Sequence, residues 1–187
     1  MKRKTSKRIV RLISFVLTLV ILLSSTIVTN ASTYKKDIIS VVSISNKDNY
    51  NNYIDDINSM PEILTDNCNK IIFTNKNLNE KFNLGFKDCT VFAISFGKDI
   101  YVDTNYYNKN VIIHELCHVY DYSNNWISEK NDFTELYDSE SSKISVTEGN
   151  IQNEYEFFAS SGEMYFNNPE KLKSTSYPTY MYFKNLF

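Results

Sequence analysis

Glycine and proline are scarce in this chain, with four and three in 187 residues, and no stretch is rich in both. An interdomain linker therefore has little to be made of, and no internal repeat is visible. Cysteine is scarce as well, and Cys68, Cys89 and Cys117 are too few for a disulfide framework. Cys68 and Cys89 can pair in an oxidising exterior, or all three can stay as buried thiols. Basic residues are few once the N-terminal segment is set aside. Six of the 20 Lys and Arg precede Ser32, which leaves 14 against 22 acidic side chains and a net charge near −8. Such a surface repels phosphate backbones and anionic lipid heads, which argues against nucleic acid and membrane-surface partners.

What is present starts with a targeting pattern. A basic stretch, Met1 to Arg8, precedes an apolar run from Leu12 to Val28 that only Ser and Thr interrupt, and Thr29-Asn30-Ala31 closes it. Basic, then apolar, then small is the order of a secretory signal peptide, with cleavage expected after Ala31. The run is also close to membrane-spanning length, so an uncleaved anchor is the rival. Residues 1–31 are therefore expected to be a signal peptide, and residues 32–187 one secreted, extracellular domain.

Within that domain, Ile38, Ile39, Val41 and Val42 form an apolar cluster that fits either a strand or part of a helix. Lys70 to Thr74 reads as a β-branched and aromatic strand. Thr90 to Phe96 and Asp99 to Asp103 flank Gly97-Lys98, a pattern that suits a tight hairpin. From about Asn108 to Tyr122 the spacing turns helical, with Ile112, Leu116 and Val119 on one apolar stripe and Ile113, Cys117 and Tyr120 on its neighbour. Cys117 thus reads as a small buried residue. A second helix is expected from about Asn153 to Phe166, stopped by Pro169. Strands first and helices later imply an α+β domain.

The chemistry is concentrated in the first of these helices, at His114-Glu115-Leu116-Cys117-His118. Side chains four apart lie one turn above each other, so two imidazoles can meet one metal ion. Glu115 between them can take a proton from water that such an ion has acidified. The chain has no other histidine, and both lie on a stripe separate from the two apolar ones. A catalytic zinc usually takes a third protein ligand. Classes that use a third histidine are excluded, and Asn124, six residues after His118, removes an aspartate variant. A carboxylate remains: Glu148, Glu154, Glu156 or Glu163. Glu154 and Glu163 also fit the common fate of Glu as solvated helix charges.

Four stretches together carry a family resemblance: His-Glu-Leu-Cys-His-Val-Tyr-Asp (114–121), Glu-Phe-Phe-Ala (156–159), Tyr-Phe-Asn-Asn-Pro-Glu-Lys-Leu (165–172) and Pro-Thr-Tyr (178–180). They resemble the catalytic domain of anthrax lethal factor and the secreted clostridial Pro-Pro endopeptidases of the same superfamily, over roughly the C-terminal half of the chain. The resemblance implies a zincin-like metalloprotease domain with a small sheet, an active-site helix and a helical C-terminal part. It implies His114, His118 and Glu156 as ligands of one Zn2+ per chain, and Glu115 as general base. Asp121 is then either an imidazole-orienting carboxylate or a plain surface charge at the helix end. Two positions depart from the family: Gly149 stands where a Tyr often stabilises the oxyanion, and Ser160 where a second Glu is common. Tyr137 and Tyr155 are alternative sources of a hydroxyl.

The expectation is a secreted zinc endopeptidase acting on protein or peptide substrates, with the hairpin strand bordering the cleft. The alternatives are a secreted zinc-binding protein of the same fold without catalysis, and a membrane-tethered protease. If the leader is cleaved as read, N-terminal sequencing of the extracellular protein finds Ser32 as its first residue. Met1 retained in a membrane fraction overturns that processing.

Overall fold

The computed structural model describes residues 37–85, 90–148, 151 and 153–187, with the backbone only for 145–148. The expected leader, together with Cys89 and Gly149, lies outside these residues. Four strands form one sheet: β1 (Ile39–Val41), β2 (Lys70–Thr74), β3 (Ala93–Phe96) and β4 (Asp99–Asp103), in the order β1-β2-β4-β3. β1 and β2 run parallel, as do β2 and β4, while β3 is antiparallel to β4 and occupies one edge. The ambiguous cluster at residues 38–42 thus contains a strand, Ile39–Val41, in register with Ile71–Phe73.

The β3–β4 hairpin turns at Gly97-Lys98, as expected. Gly97 has φ +60°, the positive value that a turn with Gly in its first loop position requires. Alternation along β2 and β4 sends Ile71, Phe73, Ile100 and Val102 to one fully buried face. The opposite face carries Tyr101, capped edge-to-face by Phe82 at 4.8 Å.

Helices are more numerous than the sequence reading foresaw. Among the described residues the first half holds α1 (Lys47–Ser59), α2 (Glu62–Thr65) and α3 (Leu78–Phe82), which lie between strands and not after them. α1 buries Tyr53 and Ile57, and Tyr50 packs edge-on against Phe73 at 5.0 Å. The fold class remains α+β, with eight α-helices and this small four-stranded sheet among the described residues. No helix among them is long and apolar enough to cross a membrane.

The second half is helical: α4 (Val111–Ser123), a 3-10 turn (Ile127–Glu129), α5 (Asn131–Glu148), α6 (Glu154–Asn167), α7 (Pro169–Thr175) and α8 (Tyr177–Leu186). α4 and α6 correspond to the two expected helices. Pro169 ends the second as read and also opens α7, where a missing N–H costs nothing. Phe133 of α5 gathers Phe157 at 5.5 Å and Phe158 at 5.3 Å into an aromatic core.

α4 is apolar on nearly every side because it is wrapped: Ile112, Leu116 and Val119 are fully buried, and Cys117 faces α6. A Cβ built on Gly162 of α6 would sit 2.7 Å from Cys117 Sγ and 3.2 Å from Phe183 Cε1. With Cys117 and Phe183 in place, the crossing therefore leaves no room for a side chain at 162 unless they shift. Cys117 is a packing residue, and burial pushes its thiol well above the usual range. Cys68 is also a buried free thiol, pushed up to about 12 by burial.

Gly162→Ala tests this crossing. Overpacking typically costs about 1–3 kcal/mol, against a helix-propensity gain of up to about 1 kcal/mol. The expected outcome in urea unfolding is a net loss of roughly 1–2 kcal/mol, partly recovered in Cys117→Ala/Gly162→Ala. An unchanged midpoint for Gly162→Ala contradicts the packing.

Candidate metal centre

Two helices bring the group together. On α4, His114 and His118 project from the one side that is not apolar, with ring centroids 4.9 Å apart. On α6, Asn153 caps the N-terminus, and its side chain accepts from the Glu156 N–H at 2.9 Å. That bond sets the first turn and so the direction in which Glu156 leaves it. The two carboxylate oxygens of Glu156 lie 3.4 Å from His114 Nε2 and 3.6 Å from His118 Nε2.

One ligand atom from each of His114, His118 and Glu156 lies within 4.8 Å of the others, so these three residues form a group that could bind a metal ion. Two imidazole nitrogens and a carboxylate oxygen are a donor set that suits zinc, among other divalent metals. Of the carboxylates left open by sequence whose side chains are described, Glu156 is the one that converges on both histidines. Glu154 is not part of the group, and the side chain of Glu148 lies outside the described residues.

Glu163 corrects the reading of it as a solvated helix charge. Its carboxylate lies 3.4 Å from His114 Nδ1, and its side chain is only 15 % exposed. Glu156 and Glu163 are seven apart, two turns along one face of α6, and so both reach α4. A carboxylate on the second ring nitrogen fixes the tautomer and orientation of a ligating imidazole. The spacing was visible in the sequence; the closeness of α4 was not. Glu163 also stands three residues beyond Ser160 on the same helix.

Asp121 does something else. It is fully buried, and its carboxylate accepts from the Ser128 N–H at 2.8 Å and from Ser128 Oγ at 2.5 Å. Burial raises its pKa, and the Ser128 bonds only partly offset that. It is therefore no surface charge; it anchors the turn that follows α4.

Electrostatics follow from the packing. Burial lowers the His114 pKa, but Glu156 and Glu163, one at each ring nitrogen, outweigh it and push the value up to about 10. Burial also lowers the pKa of His118. Glu156 is held below its ordinary value, chiefly by His114.

The group opens into a cleft of about 440 Å³. Glu115, 7 % exposed, lines it beside the histidines. Val91, Ala93, Ile94 and Ser95 line it from β3 and the residues just before it, and Tyr122, Trp126 and Tyr155 supply aromatic faces. Among the described residues β3 pairs with β4 alone and forms one edge of the sheet. Of the two alternative tyrosines, Tyr155 lines the cleft and donates its hydroxyl to Glu129, whereas Tyr137 packs on Phe157 at 5.6 Å. No protein-family model matches the chain, and no curated protein matches it significantly.

Metal titrations check the arrangement. His114 carries a proton in the metal-free protein below about pH 10, and ligation requires the neutral ring. Binding should therefore release about one proton, and affinity should climb roughly tenfold per pH unit between about pH 7 and 9. Glu156→Ala should abolish tight binding, and Glu163→Ala should weaken it by about 10–100-fold. Affinity independent of pH, or of Glu156, contradicts the assignment.

Proposed function

We propose that the chain is a secreted zinc-dependent endopeptidase, with one zinc held by His114, His118 and Glu156 in a zincin-like domain. The observation that carries the reading is the convergence of these three side chains, beside Glu115, in a cleft bordered by an edge strand of the sheet. The sequence resemblance to the lethal factor-like and Pro-Pro endopeptidase superfamily points the same way. Zinc bound there supplies a Lewis acid that acidifies water and polarises a carbonyl.

The chain's own residues do the rest. An extended peptide adds to β3 through backbone hydrogen bonds, which aligns it along the cleft and presents one carbonyl to the metal group. Glu115 takes the proton of the attacking water and returns it to the departing amine as the peptide bond breaks. Its neighbours His114 and His118 would hold the ion, and Glu163 would keep the His114 ring in place. Protein or peptide is thus the substrate class, and the acidic surface disfavours nucleic acid and anionic membranes as partners.

The test is a peptide-library digest by the mature protein, with and without a chelator, alongside Glu115→Gln. Defined cuts that the chelator removes are expected. Glu115→Gln should keep its zinc and its fold while its cleavage rate falls by about a hundredfold to ten-thousandfold. Zinc binding without any cuts supports instead a non-catalytic zinc-binding protein. Near-native turnover by Glu115→Gln refutes the assigned mechanism.

A further inference from the structure

Beyond the metal group, an unusual stretch of backbone borders the cleft. Asn125 and Trp126 follow each other with φ +58° and +52°. Left-handed backbone is tolerable for Asn, but for a bulky residue it is an outlier that surroundings must enforce. Here they do: the Trp126 N–H donates to the Asp121 carbonyl at 3.0 Å, and the buried Asp121 carboxylate clamps Ser128 two residues further on. The product of this strained turn is an indole that remains 40 % exposed. It lines the cleft and does not enter the core.

The indole does not stand alone. Tyr122 meets it edge-to-face at 5.2 Å and Tyr155 at 5.4 Å, with planes at 87° and 79°. Tyr155 is in turn pinned through its hydroxyl to Glu129. The three rings form a rigid aromatic wall in the same cleft as Val91, Ala93 and Ile94. An apolar side chain seated against the rings removes apolar surface from water and brings no charge of its own that would need a partner. A carboxylate would meet the negative faces of the rings beside Glu156 and Glu129.

We propose that the Tyr122–Trp126–Tyr155 wall is a specificity subsite for a bulky apolar side chain of the peptide, with Trp126 as its discriminating residue. The subsite deepens the endopeptidase reading and rests on it for the identity of the ligand as substrate. Trp126 is the chain's single tryptophan, so its emission reports directly on occupancy.

The experiment has two arms. In the first, the Glu115→Gln protein is titrated with capped Gly-Gly-X-Gly-Gly peptides, X being Phe, Lys or Glu, while tryptophan emission is read. The Phe peptide should shift the emission and saturate at a concentration at least tenfold lower than the other two. An equal response to all three, a response favouring Lys or Glu, or no response overturns the subsite.

In the second arm, the wild type, Trp126→Ala and Trp126→Phe digest the same peptide library. Trp126→Ala should raise KM at least tenfold for substrates with a large apolar residue at the enriched position, with kcat within about threefold. Trp126→Phe should recover most of the loss, because a flat aromatic face is retained. An unchanged KM and enrichment profile in Trp126→Ala overturns the proposal whatever the first arm gives. If no peptide is cut by any variant while the first arm shows the Phe preference, the aromatic subsite stands and the endopeptidase reading fails.

Discussion

Helices α4 and α6 meet where residue 162 has no side chain, and the metal group depends on that contact. With Cys117 Sγ only 2.7 Å from where a Cβ would be, any larger residue at 162 forces Cys117 or the helices themselves to shift. Glu156 and Glu163 both lie on the α4-facing side of α6, seven residues apart. A wider crossing would withdraw both from His114 at once, one from each ring nitrogen. The close approach of two apolar helices thus places the charged groups, and the charged groups supply the chemistry. Interiors packed this densely pass small displacements on without absorbing them.

The other side of α4 determines what the group faces. β3, and to a lesser extent β4, packs against the helix, and the hairpin turn at Gly97 carries β3 to the rim, where β4 is its one neighbour among the described residues. Tyr122 rises one turn beyond His118, its ring 3.6 Å from where a Cβ on Gly97 would be. The metal group and the aromatic wall are thus shared between α4, with the turn that follows it, and the first turn of α6. For the proposed hydrolysis such a cleft would serve to align an extended chain, and alignment contributes much of the rate of such reactions.

Much of this was legible in the sequence, and the reasons differ by element. The β2 strand, the Gly97-Lys98 hairpin, α4 and α6 announced themselves through β-branched runs, turn chemistry, double apolar stripes and the Asn153 and Pro169 boundaries. α1 escaped because Tyr50, Tyr53, Ile54 and Ile57, spaced as a helix requires, are embedded among Asn and Asp that favour turns. The interleaving of α1, α2 and α3 with the strands escaped with it. At the site, His114, Glu115 and His118 were fixed by spacing within one helix. Selecting Glu156 needed the resemblance, and the roles of Glu163 and Asp121 needed the tertiary structure. Both are carboxylates whose partners, His114 and Ser128, are set by helix crossing and by a turn, neither of which leaves a periodic signal.

The central claim is that one zinc ion sits between these two helices. The most direct measurement is a crystal of the zinc-loaded mature protein, with anomalous data collected on both sides of the zinc edge. The expected result is a single peak bonded to Nε2 of His114, Nε2 of His118 and the Glu156 carboxylate, at about 2.0–2.2 Å from each. A peak elsewhere on the chain, or none at saturating zinc with the three side chains in place, would contradict it.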